Sequence, residues 1–167
     1  LSELTQVEEA VANFAASCSR KLKEQRSCCR SMTIFAYTSR FRMDLPSHAI
    51  NRTVTFPVPT NDQQELVAAA VGALRSEWRK GNTYLYKKAG VIVWNICPDS
   101  AIQTNLFDTI DRDKQARLAA AIDAINRKNG YNTVKVAVQG NDKGWHLKCE
   151  HITRQYTTNL KEIIQVK

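Results

Sequence analysis

The order in which the hydrophobic period changes constrains this chain most. Residues 1–25 place Leu4, Val7, Val11, Phe14, Cys18 and Leu22 at spacings of three and four, one stripe of a helix. Thr5 and Glu8 have capping-box spacing, and Arg20, Lys21 and Lys23 oppose the dipole in the last turns. The period then drops to two. Residues 30–39 and 51–56 alternate as strands rich in β-branched and aromatic side chains, the second ending at Pro57 and Pro59. Residues 63–80 return to a helical stripe of Leu66, Ala70, Leu74 and Trp78. Thr60, Asn61 and Asp62 are its N-cap candidates and Gly81 its stop. Residues 86–96 alternate again. The order α-β-β-α-β predicts an α+β unit: an antiparallel sheet with two helices on one face.

Such a sheet has an open face. Met32, Ile34 and Ala36 belong to the covered side, with Val54, Phe56, Ala89, Val91 and Val93. Ser31, Thr33, Phe35, Tyr37, Thr53, Thr55, Lys88, Gly90, Ile92 and Trp94 belong to the other. Arg30, Arg40, Arg52 and Lys87 stand at the strand ends, and Thr38 and Ser39 close the first strand. Short hydroxyl donors beside cations suit phosphate contact; a solvated face of a basic protein explains the same pattern equally well.

Charge favours a polyanionic partner. Lys and Arg number 24 against 16 Asp and Glu, a formal charge of +8. The surplus is spread: residues 1–95 hold 13 basic and 8 acidic side chains, residues 96–167 hold 11 and 8. A binding surface must therefore be assembled by folding. No apolar run reaches membrane-spanning length and no signal-peptide pattern opens the chain. The five cysteines lack metal-ligand spacing, as do His48, His146 and His151, so reduced thiols in a cytoplasm are expected. No phosphate loop, nucleophile elbow or paired carboxylate is present; catalytic residues, metal ligands and cofactors are expected to be absent.

Residues 97–110 read as a linker, and residues 111–128 as a third helix with Leu118, Ile122 and Ile125 on its stripe. Residues 132–140 alternate Val134, Val136 and Val138 as a strand, which the segment "GWHLKCEHIT" would pair through a polar turn. The C-terminal part is thus expected to be a small α/β annex.

The segments "TIFAYTSRF", "RTVTFPVPTND", "LVAAAVGALRSEWRKG", "YKKAGVIVWNI" and "QTNLFD", in this order, resemble the C-terminal part of the Y-family translesion DNA polymerases. The similarity is nearest to the branch of the bacterial DNA polymerase V catalytic subunit. The tail, with Trp145 and Tyr156-Thr157-Thr158, is similar to that branch's extra segment. The resemblance implies a little finger over residues 1–96, a linker over 97–110 and a C-terminal extension over 111–167. It also implies a cytoplasmic bacterial protein of SOS mutagenesis that grips primer–template duplex by its backbone, with UmuD-like and RecA-like partners. The Mg²⁺-binding acids of such enzymes lie in a palm that precedes these residues, so this chain would bind without polymerising. Three departures stand out. The family's first strand is missing, which would leave an edge exposed or filled by a neighbour such as the C-terminal segment. Arg40 replaces a proline, and a Ser-Pro before the tail is absent, with Arg154 near that place.

Within the linker, Gln103, Asn105, Leu106 and Phe107 resemble the Gln-x-x-Leu-Phe peptide that docks bacterial polymerases on the sliding clamp. Leu106 and Phe107 would enter an apolar cleft with the Gln103 amide beside them. Burying the pair contributes roughly 3–6 kcal/mol, partly offset by ordering the linker. The competing readings are an RRM-like RNA-binding module, which lacks its signature glycines around Phe35 and Tyr37, and a pure protein-interaction module.

Overall fold

The structure, a computed structural model, describes residues 1–78, 84–103, 105, 108–141, 145 and 152–164. Helix α1 (Leu4–Glu24) leads into β1 (Ser27–Thr38) and β2 (Ala49–Thr60); α2 (Gln63–Glu77) and β3 (Tyr86–Pro98) follow. The strands form one antiparallel sheet in the order β2-β1-β3, and the helices cover one face. The core is the apolar side of that sandwich: Val7, Val11 and Leu22 of α1, Met32, Ile34 and Ala36 of β1, Ile50 and Phe56 of β2, and Leu66, Val67, Ala70 and Leu74 of α2. The α+β arrangement expected from the periods is the one observed.

Local details differ from the sequence reading. Thr5 and Glu8 form no capping box, since α1 begins at Leu4 with Glu3 at the N-cap and no side-chain cap bond. Glu8 is instead buried and takes a two-pronged pair from Arg75 of α2, at 2.6 and 3.1 Å. That pair ties the two helices together. At α2, Asp62 is the residue that caps, accepting from the Glu65 amide at 2.9 Å. Strand β2 runs through Pro57 and Pro59 rather than ending at them. It is an edge strand, and both prolines fall where the pairing with β1 is irregular, between Thr55 opposite Ser31 and Thr60 opposite Cys29. A residue without an N–H costs least there.

Beyond β3 comes a 3₁₀ turn (Asp99–Ala101) and then α3 (Arg112–Asn129), capped by Asp111. The strand expected over 132–140 does not form; residues 137–139 are a 3₁₀ turn (Ala137–Gln139). Side chains take the bonds a ladder would need. The Asn126 amide donates to the Val134 carbonyl at 2.9 Å and accepts from its N–H at 2.8 Å, and Gln139 Oε1 accepts from the Val136 N–H at 2.9 Å. Val136, its N–H and carbonyl both bonded to Gln139, packs onto the core with Val138. Most of "GWHLKCEHIT", the expected partner strand, lies outside the described residues, as does Gly81. The α3 stripe is only partly covered: Leu118 and Ile125 are exposed.

The annex lies on the helical side of the sandwich. Gln139 is 2% exposed and binds both helices: its carbonyl accepts from Asn13 Nδ2 (2.9 Å), its Oε1 accepts from Gln63 Nε2 (3.0 Å), and its Nε2 donates to Asn13 Oδ1 (3.3 Å). Lys23 pairs with Asp123 at 2.9 Å, and Phe14 meets Trp145 edge-on at 5.5 Å. Arg20 lies over the Tyr131 ring. On the sheet's opposite face no described residue packs over Thr53, Thr55, Ile92 or Trp94, which are exposed. At the outer edge of β3, Leu1 and Tyr86 exchange two backbone bonds of 2.8 Å. Among the described residues no further strand pairs with that edge.

Candidate nucleic-acid interface

Alternation along three strands builds the open face. Its β1 row is Ser31, Thr33, Phe35 and Tyr37. Register sets Thr55 beside Ser31, Thr53 beside Thr33 and Asn51 beside Phe35 on one flank. On the other flank stand Trp94, Ile92, Gly90 and Lys88. None of these positions is a carboxylate, so no strand residue of the face opposes a polyanion.

The hydroxyls form a ladder. Thr33 and Thr53 share a bond of 2.8 Å and Ser31 and Thr55 one of 3.4 Å. Trp94 Nε1 also donates to Thr33 Oγ1 at 2.9 Å. Thr33, named from sequence as a phosphate donor, is thus 9% exposed with its hydroxyl committed; Thr53 and Thr55 are the exposed hydroxyls of the ladder. The Phe35 ring lies directly over Gly90, where a Cβ would sit 2.5 Å from its Cζ, and it stacks on Tyr37 at 5.2 Å.

The cations divide. Lys88 is exposed in the β3 row opposite Tyr37, and Lys87 is exposed beside it. Arg30 is exposed at the irregularity of β1, between Cys29 and Ser31, and Arg40 in the β1–β2 loop. Arg52 does not join them. It stands opposite Ile34 in register, which turns it to the helical side, where it pairs with Glu77 of α2 at 3.4 Å. Alternation could have shown this, because Arg52 shares parity with Ile50 and Val54. Thr38 and Ser39 serve the loop: the Thr38 hydroxyl accepts from the His48 N–H at 2.9 Å and donates to its carbonyl at 3.2 Å, and Ser39 accepts from the Phe41 amide. Trp94 was legible as a face residue but carried no role in the sequence reading.

Of the linker peptide, Gln103 and Asn105 are exposed, while Leu106 and Phe107 lie outside the described residues. The chain just after the peptide is anchored. Asp108 pairs with Arg112 at 2.6 Å, and Arg112 with Glu65 of α2 at 2.8 Å. The Arg112 guanidinium holds the Asp108 carboxyl below its ordinary range. Two thiols behind the sheet are quenched by burial, Cys28 pushed up to about 11 and Cys29 to about 12. Among the described residues no three His, Cys, Asp or Glu side chains group to hold a metal. No described helix is long and apolar enough to cross a membrane.

Comparison with known proteins places this sandwich. Residues 1–106 match the impB/mucB/samB family C-terminal domain, and the chain belongs to that family. Residues 116–166 match a domain of unknown function, DUF4113. The chain is 32% identical to protein UmuC of Salmonella typhimurium over 168 residues, covering all of this chain and 39% of that protein. It is 34% identical to protein ImpB of Salmonella typhimurium over 156 residues (93% of this chain, 36% of ImpB). Against protein MucB of Escherichia coli it is 32% identical over 161 residues (96% and 37%). The chain thus spans well under half the length of these relatives, and the family is the one that its motifs resemble.

Proposed function

We propose that this chain is the DNA-gripping and clamp-docking part of an error-prone translesion polymerase acting in SOS mutagenesis and DNA repair in the bacterial cytoplasm. Residues 1–96 act as the little finger, 97–110 as the clamp-binding linker and 111–167 as an extension that braces the helices. The observation that carries the reading is the open sheet face, free of carboxylates and rimmed by Arg30, Arg40, Lys87 and Lys88. Four cations with exposed Thr53 and Thr55 hydroxyls can follow a duplex backbone without reading its sequence. Polymerisation, with its Mg²⁺, belongs to the rest of the whole protein, and UmuD-like and RecA-like proteins are its further partners.

Gln103, Asn105, Leu106 and Phe107 dock on the sliding clamp. The exposure of Gln103 and Asn105, and the Asp108–Arg112–Glu65 anchor just after the peptide, support this reading. Anchoring the flank limits the entropy lost on docking.

Duplex binding by single variants is the test. Arg40→Ala and Lys88→Ala are expected to weaken it, with no preference for sequence, while Arg52→Ala, turned to the helical side, leaves it within about twofold. Equal losses in all three, or none in any, would remove the sheet face as the DNA surface.

A further inference from the structure

The open face carries more than a phosphate-binding surface needs. Ile92 and Trp94, alternate residues of β3 opposite Thr33 and Ser31, are 41% and 50% exposed. Phosphate contact has no use for them. The indole is not a free rotor, because its N–H is held by Thr33 on the neighbouring strand at 2.9 Å. That bond carries the ring across the sheet, over the Ser31 and Thr33 row that it helps to bury. A large aromatic surface is left toward solvent with its one polar atom already satisfied. Phe35 beside it also lies flat on the sheet, which Gly90 makes possible. Lys88 stands in the same strand row and Arg30 at the nearby irregularity, with no carboxylate among the face positions.

A fixed, half-exposed aromatic plane among cations and hydroxyls is what an unpaired base recognises. Every base has a π-face, and its phosphate needs a cation a few ångströms away. We infer that Trp94, with Ile92 beside it, is a stacking platform for an unpaired nucleotide of single-stranded DNA, such as template lying beyond a primer end. The inference rests on the face being a DNA surface and adds a second mode to it: phosphates of the duplex on the basic rim, an unpaired base on the indole. An apolar protein partner would want the same isoleucine and indole but not the surrounding cations and hydroxyls.

The test compares the full chain with its Trp94→Ala and Trp94→Phe variants, using fluorescein-labelled oligothymidine and a blunt duplex at one salt concentration. Anisotropy reads affinity and unlabelled oligothymidine reads quenching of indole emission. Stacking predicts that W94A loses about tenfold or more in oligothymidine affinity, with duplex affinity kept within about twofold. W94F, which conserves a ring and the strand, keeps most of the affinity but loses the quench. The inference is overturned if W94A and W94F leave oligothymidine binding unchanged, or if duplex and single strand weaken together. Should the wild-type chain bind duplex but not oligothymidine, this inference alone fails; should it bind neither, the reading of the face as a DNA surface fails first.

Discussion

Replacing Gln139 by alanine should release the annex from the helices while the sandwich stays folded. The buried amide is the best-connected polar group between them. Its Oε1 accepts from Gln63 and from the Val136 N–H, and its Nε2 donates to Asn13. The two bonds that cross to the helices, at about 0.5–1.5 kcal/mol each, give roughly 1–3 kcal/mol. Water reaches the half-buried Gln63 and Asn13 in the variant, which favours the lower end. The Lys23–Asp123 pair contributes about 0.2–1 kcal/mol and cannot replace that loss. Hydrogen exchange resolves the outcome by segment. Amides of α3 and of residues 134–140 should exchange about 5- to 150-fold faster, since each 1.4 kcal/mol is tenfold in the opening equilibrium. Those of β1 should keep their protection. Equal loss of protection in β1 and α3 would show that annex and sandwich open as one unit; unchanged α3 protection would show that the amide does not hold the annex.

Other expectations come from the same geometry. Arg75→Ala leaves the buried Glu8 carboxylate without its guanidinium and should lower stability by roughly 1–3 kcal/mol in denaturant unfolding. Gly90→Val puts side-chain atoms where the Phe35 ring lies and should cost about 1–3 kcal/mol of thermal stability, with the ring displaced. Cys28 and Cys29, with thiols pushed up to about 11 and 12, should resist a thiol reagent at pH 8 in the folded chain and react on unfolding. Because between the two values a raised thiol stays protonated only in the folded state, stability from these two groups is complete below the ordinary value of 9.0 and declines as pH rises from there toward about 11 for Cys28 and about 12 for Cys29. Leu106→Ala with Phe107→Ala should abolish sliding-clamp binding while shifting the melting temperature little.

The sandwich was legible because its elements have long, clean periods. Met32, Ile34 and Ala36 alternate against Thr33, Phe35 and Tyr37, and register places Val54, Val91 and Val93 on the matching side. Where the sequence misled, a side chain took over a backbone's role, or strand position relaxed a rule. Val134, Val136 and Val138 alternate like a strand, yet Asn126 and Gln139 satisfy the Val134 and Val136 backbone locally. Pro57 and Pro59 read as terminators, but an irregular edge tolerates them. The basic rim was legible as composition. Arg52 shows that a cation in a strand must also have the right parity, and Thr33 that a hydroxyl on the right face can already be committed. Trp94 was hidden for a different reason: only the distance to Thr33 shows that its ring is held in place.

The central claim, that the open face binds the DNA backbone, is tested most directly by the salt dependence of duplex affinity. With Arg30, Arg40, Lys87 and Lys88 each neutralising one phosphate, the logarithm of the binding constant should fall against the logarithm of salt with a slope of about −3 to −4. The combined R40A and K88A variant should reduce that slope by about 2. A slope near zero, or one that the two substitutions leave unchanged, would contradict the account.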